Sequence, residues 1–131
     1  MSRSSLNAIV SPVSLRCLIV DDNPSFRDTM RALLEAEGID IVGGAGTAAE
    51  ALQQIAELRP DVALIDIDLG GESGLALARG VHDDIAGAVP VILISTHAEA
   101  EFADLIEATP AVGFLSKTVL SAATIRRTIA A

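Results

Sequence analysis

The sequence predicts an α/β protein built on a five-stranded, doubly wound parallel sheet with five helices. Short apolar runs alternate with amphipathic stretches along the chain. Several of these runs are continuously apolar, which is typical of strands covered on both faces. Strict alternation of strand and helix implies right-handed crossovers that place helices on both sides of the sheet. The 131 residues leave room for one such domain.

Five apolar runs are predicted as strands, and the first, third and fourth have the continuous apolar character of a buried parallel sheet. Half of the residues are hydrophobic, but the sequence has no Trp or Tyr and only three Phe, so the core must be aliphatic. The predicted strands cover residues 15–20, 39–45, 61–66, 90–95 and 111–116.

Five amphipathic stretches are predicted as helices. The first has Pro24 in its first turn and Gly38 after its end, where these two residue types are favoured. The second opens with Thr47 and Glu50, which have the spacing of a capping box, and ends before Pro60. The other three helices are indicated by apolar stripes over residues 77–85 and 102–106 and by a start near Ser121.

Composition limits the partners and the compartment. Acidic residues outnumber basic ones 18 to 9, and the net charge of −9 disfavours nucleic acid and anionic membranes but suits divalent cations. Cys17 lies in an apolar run and is predicted to be a buried, inert thiol, which fits a reducing cytoplasm. Residues 1–14 lack a signal-peptide core and are expected to form a loose extension before a domain at 15–131.

Chemically capable side chains follow four of the five predicted strands. They are Asp21 and Asp22, Asp66, Ser95, and Lys117. In doubly wound sheets the carboxyl ends of the strands form the functional edge, so these groups should converge. Carboxylates about 5 Å apart repel by roughly 3 kcal/mol per pair at an effective dielectric near 20. A raised pKa or a hard cation would relieve that repulsion, and the oxygen-only ligands point to Mg²⁺ or Mn²⁺.

Four segments in order, "LIVDDN", "VALIDIDL", "PVILIST" and "GFLSKT", resemble the receiver domain of bacterial two-component response regulators. The resemblance covers residues 15–131 and implies the flavodoxin-like fold of CheY-like receivers. It implies Asp66 as phosphoacceptor, Asp22 as direct metal ligand and Asp21 as a ligand acting partly through water. It also implies a metal contact from the backbone carbonyl of Asp68, phosphate contacts from Ser95 and Lys117, and Phe114 as the aromatic switch residue.

The resemblance further implies a function. A sensor histidine kinase would donate a phosphoryl group to Asp66 in a Mg²⁺-dependent reaction. The result would be a changed surface on the fourth helix, fifth strand and fifth helix, which a downstream protein partner or effector domain would recognise. Such a protein is a phosphoacceptor switch with self-catalysed phosphotransfer and dephosphorylation, not a multiple-turnover enzyme. A homodimer through the same surface is a further expectation, based on acidic residues at 99–107 and on Arg126 and Arg127.

The sequence departs from the receiver pattern at several positions. Gly70 replaces a common Pro, which predicts a looser loop over the site. Thr118 replaces another Pro, and Ser95 replaces the more frequent Thr. Asp68 adds a charge at the rim of the site, where it is expected to slow anionic phosphodonors. His97 is expected either at the same rim or as a solvated loop histidine.

Three functional interpretations stay open at this stage. A stand-alone receiver is favoured, because no helix-turn-helix follows residue 131 and no linker composition marks the end. The alternative is a receiver fragment of a helix-turn-helix transcriptional regulator. A third interpretation takes Asp66 and Asp68 as the D-x-D of a haloacid-dehalogenase-like phosphatase, whose second acidic pair would follow the lysine. Here the acidic pair opens the fold instead.

Overall fold

The computed structural model describes residues 14–84, 89–96 and 103–130. Its main sheet is parallel and five-stranded, with the order β2-β1-β3-β6-β7. A separate antiparallel hairpin, β4-β5, lies between β3 and the next helix. The strands are β1 Arg16–Val20, β2 Asp40–Ala45, β3 Val62–Asp66, β4 Asp68–Leu69, β5 Glu72–Ser73, β6 Val91–Ser95 and β7 Gly113–Ser116.

The predicted α/β fold is confirmed, and every main-sheet strand lies within two residues of its predicted bounds. Five α-helices occur in the described parts of the chain, together with a 3₁₀ turn at Lys117–Val119. Residues 85 and 102, predicted as helical, lie outside the described residues. The helices are α1 Pro24–Ala36, α2 Ala48–Leu58, α3 Gly74–Asp84, α4 Ala103–Glu107 and α5 Ala122–Ala130.

Two aliphatic cores lie on opposite faces of the sheet. Helices α1 and α5 cover one face, and helices α2 and α3 cover the other. Strand β3 is buried along its whole length because it lies at the centre of the sheet and has helices on both sides. The first core includes Cys17, Ile19, Met30, Leu34, Leu64, Ile92 and Ile125, and the second includes Leu18, Val20, Ile55, Ile65, Leu77, Val81 and Leu93.

Side-chain caps set the start of α1 and α2. Asn23 precedes Pro24, and its Oδ1 accepts from the backbone N–H groups of Ser25 at 2.9 Å and Phe26 at 3.3 Å. At α2, Thr47 Oγ1 accepts from the N–H of Glu50 at 3.2 Å, as a capping box requires. The reciprocal bond is shifted, because Glu50 Oε1 accepts from Gly46 N at 2.9 Å and not from Thr47. The capping-box prediction was therefore correct in only one of its two bonds.

The segment after β3 is a tight hairpin, where sequence reasoning expected a loose loop. Gly70 and Gly71 have φ values of 61° and 104°. Two consecutive positive φ angles are the requirement of a type I′ turn, and glycine meets it without a steric penalty. The hairpin is joined to α2 by Glu72, whose Oε1 accepts from the N–H of Ala48 at 3.0 Å. Two short strands were thus missed, because no apolar alternation marks them.

Candidate functional site

The side chains predicted from the strand ends converge at the carboxyl edge of the sheet. Asp21 follows β1, Asp66 ends the central strand β3, Ser95 ends β6 and Lys117 follows β7. Asp21, Asp66 and Ser95 are buried, with exposed fractions of 1%, 7% and 3%. Buried polar side chains are uncommon unless they are paired, so this edge has a specific electrostatic arrangement.

Lys117 is the centre of that arrangement. Its Nζ lies 2.6 Å from Asp21 Oδ2 and donates to Asp66 Oδ2 at 2.8 Å. One ammonium group therefore neutralises part of the charge of two buried carboxylates. Backbone N–H groups hold the other oxygens, since Asp21 Oδ1 accepts from Asn23 at 2.9 Å and Asp66 Oδ1 accepts from Asp68 at 3.0 Å.

Burial and charge act in opposite directions on these groups. Burial raises the pKa of the Asp66 carboxyl above its ordinary value, and the neighbouring Asp21 raises it further, whereas Lys117 and the N–H of Asp68 oppose the increase. For Lys117, burial lowers the pKa of the ammonium, but the hydrogen bonds to Asp21 and Asp66 outweigh burial and raise it. The Lys117 ammonium thus stays charged, while the Asp66 carboxylate lies in an environment that disfavours its charged form.

Three carboxylates in the site are suited to a metal ion. One oxygen each from Asp21, Asp22 and Asp66 lies within 4.8 Å of the others. Asp22 is exposed and is not paired with Lys117, so its carboxylate is accessible from solvent. The donor set is made of oxygens alone, which fits Mg²⁺ or Mn²⁺ and not a softer metal. Gly70 lies directly beside this group, because a Cβ added there would sit 2.6 Å from Asp22 Oδ2.

Gly74 is a constraint on the site that sequence reasoning missed. A Cβ at this position would lie 1.8 Å from the backbone oxygen of Asp66 and 2.7 Å from its carbonyl carbon. Gly74 N also donates to the carbonyl of Ile67 at 2.8 Å. The start of α3 therefore packs directly on the backbone of Asp66. Glycine at the first position of a helix is a weak signal in a sequence, so nothing singled it out.

Two α1 residues near the site were also missed. The Phe26 ring lies under the Lys117 ammonium, with 4.2 Å between Nζ and the ring centroid. Arg27 donates from Nη1 to the backbone carbonyl of Asp21. Both sit in the first turn of α1, directly after the Asp21-Asp22 pair. Phe26 was predicted only as part of the apolar stripe of the first helix, and no pattern in the sequence pointed to Arg27.

The remaining predicted residues are placed as follows. Asp68 is exposed on the hairpin, and its Oδ1 accepts from the N–H of Gly70 at 3.2 Å. Phe114 on β7 is partly buried and lines a cavity of about 310 Å³ with Thr124 and Arg127 of α5. His97 lies outside the described residues, so its predicted place at the rim stays a prediction. Cys17 is fully buried, as predicted, and burial raises the pKa of its thiol to about 12.

The fold and the site together define a class, that of α/β receiver domains with an aspartate at the end of the central strand and a lysine beside it. Comparison with known families confirms the class. Residues 17–130 match the response regulator receiver domain. The chain belongs to this family, as the resemblance implied.

Known proteins similar to the chain include an esterase and a DNA-binding regulator. A protein-glutamate methylesterase/protein-glutamine glutaminase from Myxococcus xanthus is 38% identical over 72% of this chain and 27% of its own length. The DNA-binding response regulator MtrA from Mycolicibacterium smegmatis is 35% identical over 61% of this chain and 34% of its own length. The chain therefore spans about a quarter to a half of the length of the curated relatives it matches.

Solved structures give the same assignment. The signal receiver domain of NarL from Mycobacterium tuberculosis superposes with a TM-score of 0.77, at 31% identity, over 92% of this chain and all of that chain. A CheY-like receiver domain protein from Methanospirillum hungatei superposes with a TM-score of 0.72, at 27% identity, over 90% of this chain and 92% of that one. The receiver family assignment favours a signalling switch over the phosphatase alternative. Within the described residues, no helix has the length and apolar character needed to cross a membrane.

Proposed function

We propose that this receiver domain accepts a phosphoryl group on Asp66 from the phosphohistidine of a sensor histidine kinase. The bond between phosphorus and the imidazole nitrogen breaks and a bond to a carboxylate oxygen of Asp66 forms. The histidine ring, protonated on its other nitrogen, keeps the electron pair and leaves as neutral imidazole. The observation that carries the proposal is the pairing of the Lys117 ammonium with Asp66 at 2.8 Å and Asp21 at 2.6 Å. A fixed positive charge beside the acceptor is what an incoming phosphoryl group requires.

The same residues are proposed to assist each stage. Asp21, Asp22 and Asp66, with the backbone carbonyl of Asp68, would hold Mg²⁺, which when bound neutralises charge on the phosphoryl oxygens. Burial of Asp66 limits access of water to the acceptor before transfer. Ser95, buried at the end of the neighbouring strand, is proposed to hydrogen-bond the transferred group. Hydrolysis by water later restores the free carboxylate.

The signal is proposed to leave through α4, β7 and α5. Phe114 supports this, because it is only partly buried on β7, where it faces Thr124 and Arg127 of α5 across a surface groove, and is proposed to move into the space that Ser95 vacates. Exposed charges on the surface, acidic at Asp104 and Glu107 and basic at Arg126, would suit an isologous homodimer. Light scattering with and without beryllofluoride checks this. An unchanged mass would remove the dimer from the proposal.

Mass spectrometry after incubation with acetyl phosphate and Mg²⁺ tests the acceptor. The wild-type chain should gain one phosphoryl group, and the Asp66→Asn variant should gain none. The matched control is Asp61→Asn, an exposed aspartate at the other end of β3 whose Oδ2 accepts from Arg16 N at 2.8 Å. That variant should be labelled like the wild type. Labelling of the Asp66→Asn chain would overturn the assignment.

The receiver acts either alone through a protein partner or as one part of a longer regulator. The lengths of the curated relatives, and the DNA-binding activity that the name of MtrA states, support the second context. In it, the effector would contact nucleic acid, because the receiver carries a net charge of −9 and would be repelled. The reading frame of the gene beyond the codon for Ala131 decides between the two contexts. A stop codon there supports the stand-alone receiver, and a continuing frame with an effector supports the longer regulator.

A further inference from the structure

We propose that Phe26 is a positioning residue for Lys117, and that its ring holds the ammonium in place for phosphotransfer. The Nζ atom has carboxylates on one side, Asp21 at 2.6 Å and Asp66 at 2.8 Å. On another side, the Phe26 ring lies 4.2 Å from it. That distance is well inside the range of about 6 Å in which an ammonium is attracted to the face of an aromatic ring. The proposal rests on the proposed phosphotransfer to Asp66.

The ring is held by the same turn that provides the carboxylates. Asn23 caps α1 and accepts from the N–H of Phe26 at 3.3 Å, while its own N–H donates to Asp21 Oδ1 at 2.9 Å. Phe26 also packs against the core formed by α1, α5 and the sheet. The first turn of α1 thus links the ring to Asp21 through one asparagine. Its packing against this core keeps the partly buried ring on the side of α1 that faces Lys117.

The ring matters because a lysine side chain is long and its ammonium is strongly hydrated. A side chain that leaves the site loses the interaction with the phosphoryl group, and recovering it costs rotamer entropy. An aromatic face favours the cation without accepting a hydrogen bond, so all three N–H donors stay available for oxygens. One N–H donates to Asp66 while the charge is paired with Asp21, and a remaining N–H would reach an incoming phosphoryl oxygen.

Lys117 is the only lysine in the sequence, which makes the contact directly observable. In a chain grown with ¹³C-lysine, the ε-methylene signal belongs to Lys117 alone. Its protons should be shifted upfield by the ring current of Phe26 and should move downfield in Phe26→Leu. This measurement needs neither metal nor phosphodonor. An ε-methylene signal that is the same in the two chains would overturn the proposal.

The functional test compares rates of labelling by acetyl phosphate at saturating Mg²⁺. Loss of the aromatic face in Phe26→Leu should slow labelling about three- to ten-fold, while Phe26→Tyr should restore the rate to within about two-fold of the wild type. Met30→Ala is the matched control, because Met30 lies on the same helix and in the same core. It should lower the urea midpoint and leave the rate unchanged.

Each outcome separates this proposal from the proposed function. A labelled wild type with an equally fast Phe26→Leu chain would overturn the role of Phe26 and leave Asp66 as the acceptor. Equal slowing in Met30→Ala, or no rescue in Phe26→Tyr, would also overturn it, because the effect would then be structural. A wild type that is never labelled would instead contradict the proposed phosphotransfer, while the ¹³C-lysine shift would still test the contact.

Discussion

Removing the Lys117 ammonium should cost the metal-free protein a large part of its stability. In Lys117→Met, the side chains of Asp21 and Asp66, 1% and 10% exposed, lose their shared counter-ion. Removing one partner of a buried ion pair costs about 3–5 kcal/mol. We expect the lower value here, because the site lies at the carboxyl edge of the sheet and not in the centre of the core. The free energy of unfolding of a domain is about 5–15 kcal/mol, so the variant should still fold.

The assay is urea unfolding followed by circular dichroism at neutral pH in the presence of a chelator. A loss of about 3 kcal/mol corresponds to a fall of about 1.5 M in the urea midpoint for a slope near 2 kcal/mol/M. The control is Arg126→Met, which removes the same charge from an exposed position and should change the free energy of unfolding by less than about 0.5 kcal/mol.

The loss should depend on pH in a defined direction. Lys117 opposes the burial that raises the pKa of Asp66, so the pKa should rise further in Lys117→Met. A carboxyl whose pKa is raised in the folded state destabilises the fold once the pH exceeds the pKa that the group has in the unfolded chain. Protonation at lower pH relieves this destabilisation. The difference in urea midpoint between Lys117→Met and the wild type should therefore become smaller on acidification and with added Mg²⁺. Equal midpoints for the two chains at neutral pH would show that Lys117 is not the counter-ion of the buried carboxylates.

Three further outcomes are expected. Gly74→Ala should lower the free energy of unfolding by about 3 kcal/mol or more, because the added Cβ would meet the Asp66 carbonyl. The control Gly44→Ala, whose Cβ has no contact closer than 3.4 Å, should lower it by about 1 kcal/mol or less. Equal losses in urea melts would contradict the packing argument. Cys17 should react with iodoacetamide only in unfolding concentrations of urea, and rapid labelling of the native protein would contradict its burial. The free energy of unfolding should fall as pH rises from the ordinary thiol pKa of 9.0 toward the folded pKa of about 12, because in this range only the unfolded thiol ionises. Asp68→Asn should be labelled faster than wild type by acetyl phosphate at low salt, and the difference should vanish at high salt; equal rates at every ionic strength would remove the charge effect.

The sequence was sufficient to predict the main sheet and the residues at its functional edge. Continuous apolar runs identify buried parallel strands, and the residue after each run lies at a known edge of the sheet. Asp21, Asp66 and Lys117 could therefore be grouped before any distance was known, although they are separated by up to 96 positions. Topology, and not local sequence, brings them together.

The contacts between elements could not be predicted in the same way. The Phe26 ring and the Gly74 backbone affect the site through distances of a few ångströms, which no period in the sequence encodes. The hairpin was missed because each strand has only two residues, too few to show alternation. Glu50 was expected to cap Thr47, but Gly46 is equally near in sequence and received the bond.

The Lys117 ion pairs also have a mechanical consequence. Strands β1 and β7 are three positions apart in the sheet, a span of about 14 Å at ordinary strand spacing. The side chain of Lys117, which follows β7, is paired with Asp21, which follows β1, and so connects the ends of four strands. If the proposed phosphotransfer draws the ammonium toward a phosphoryl group, this connection between β1 and β7 would weaken. In that proposal the outer strand β7 would be released to shift relative to β1, and a change at one atom would be transmitted across four of the five strands.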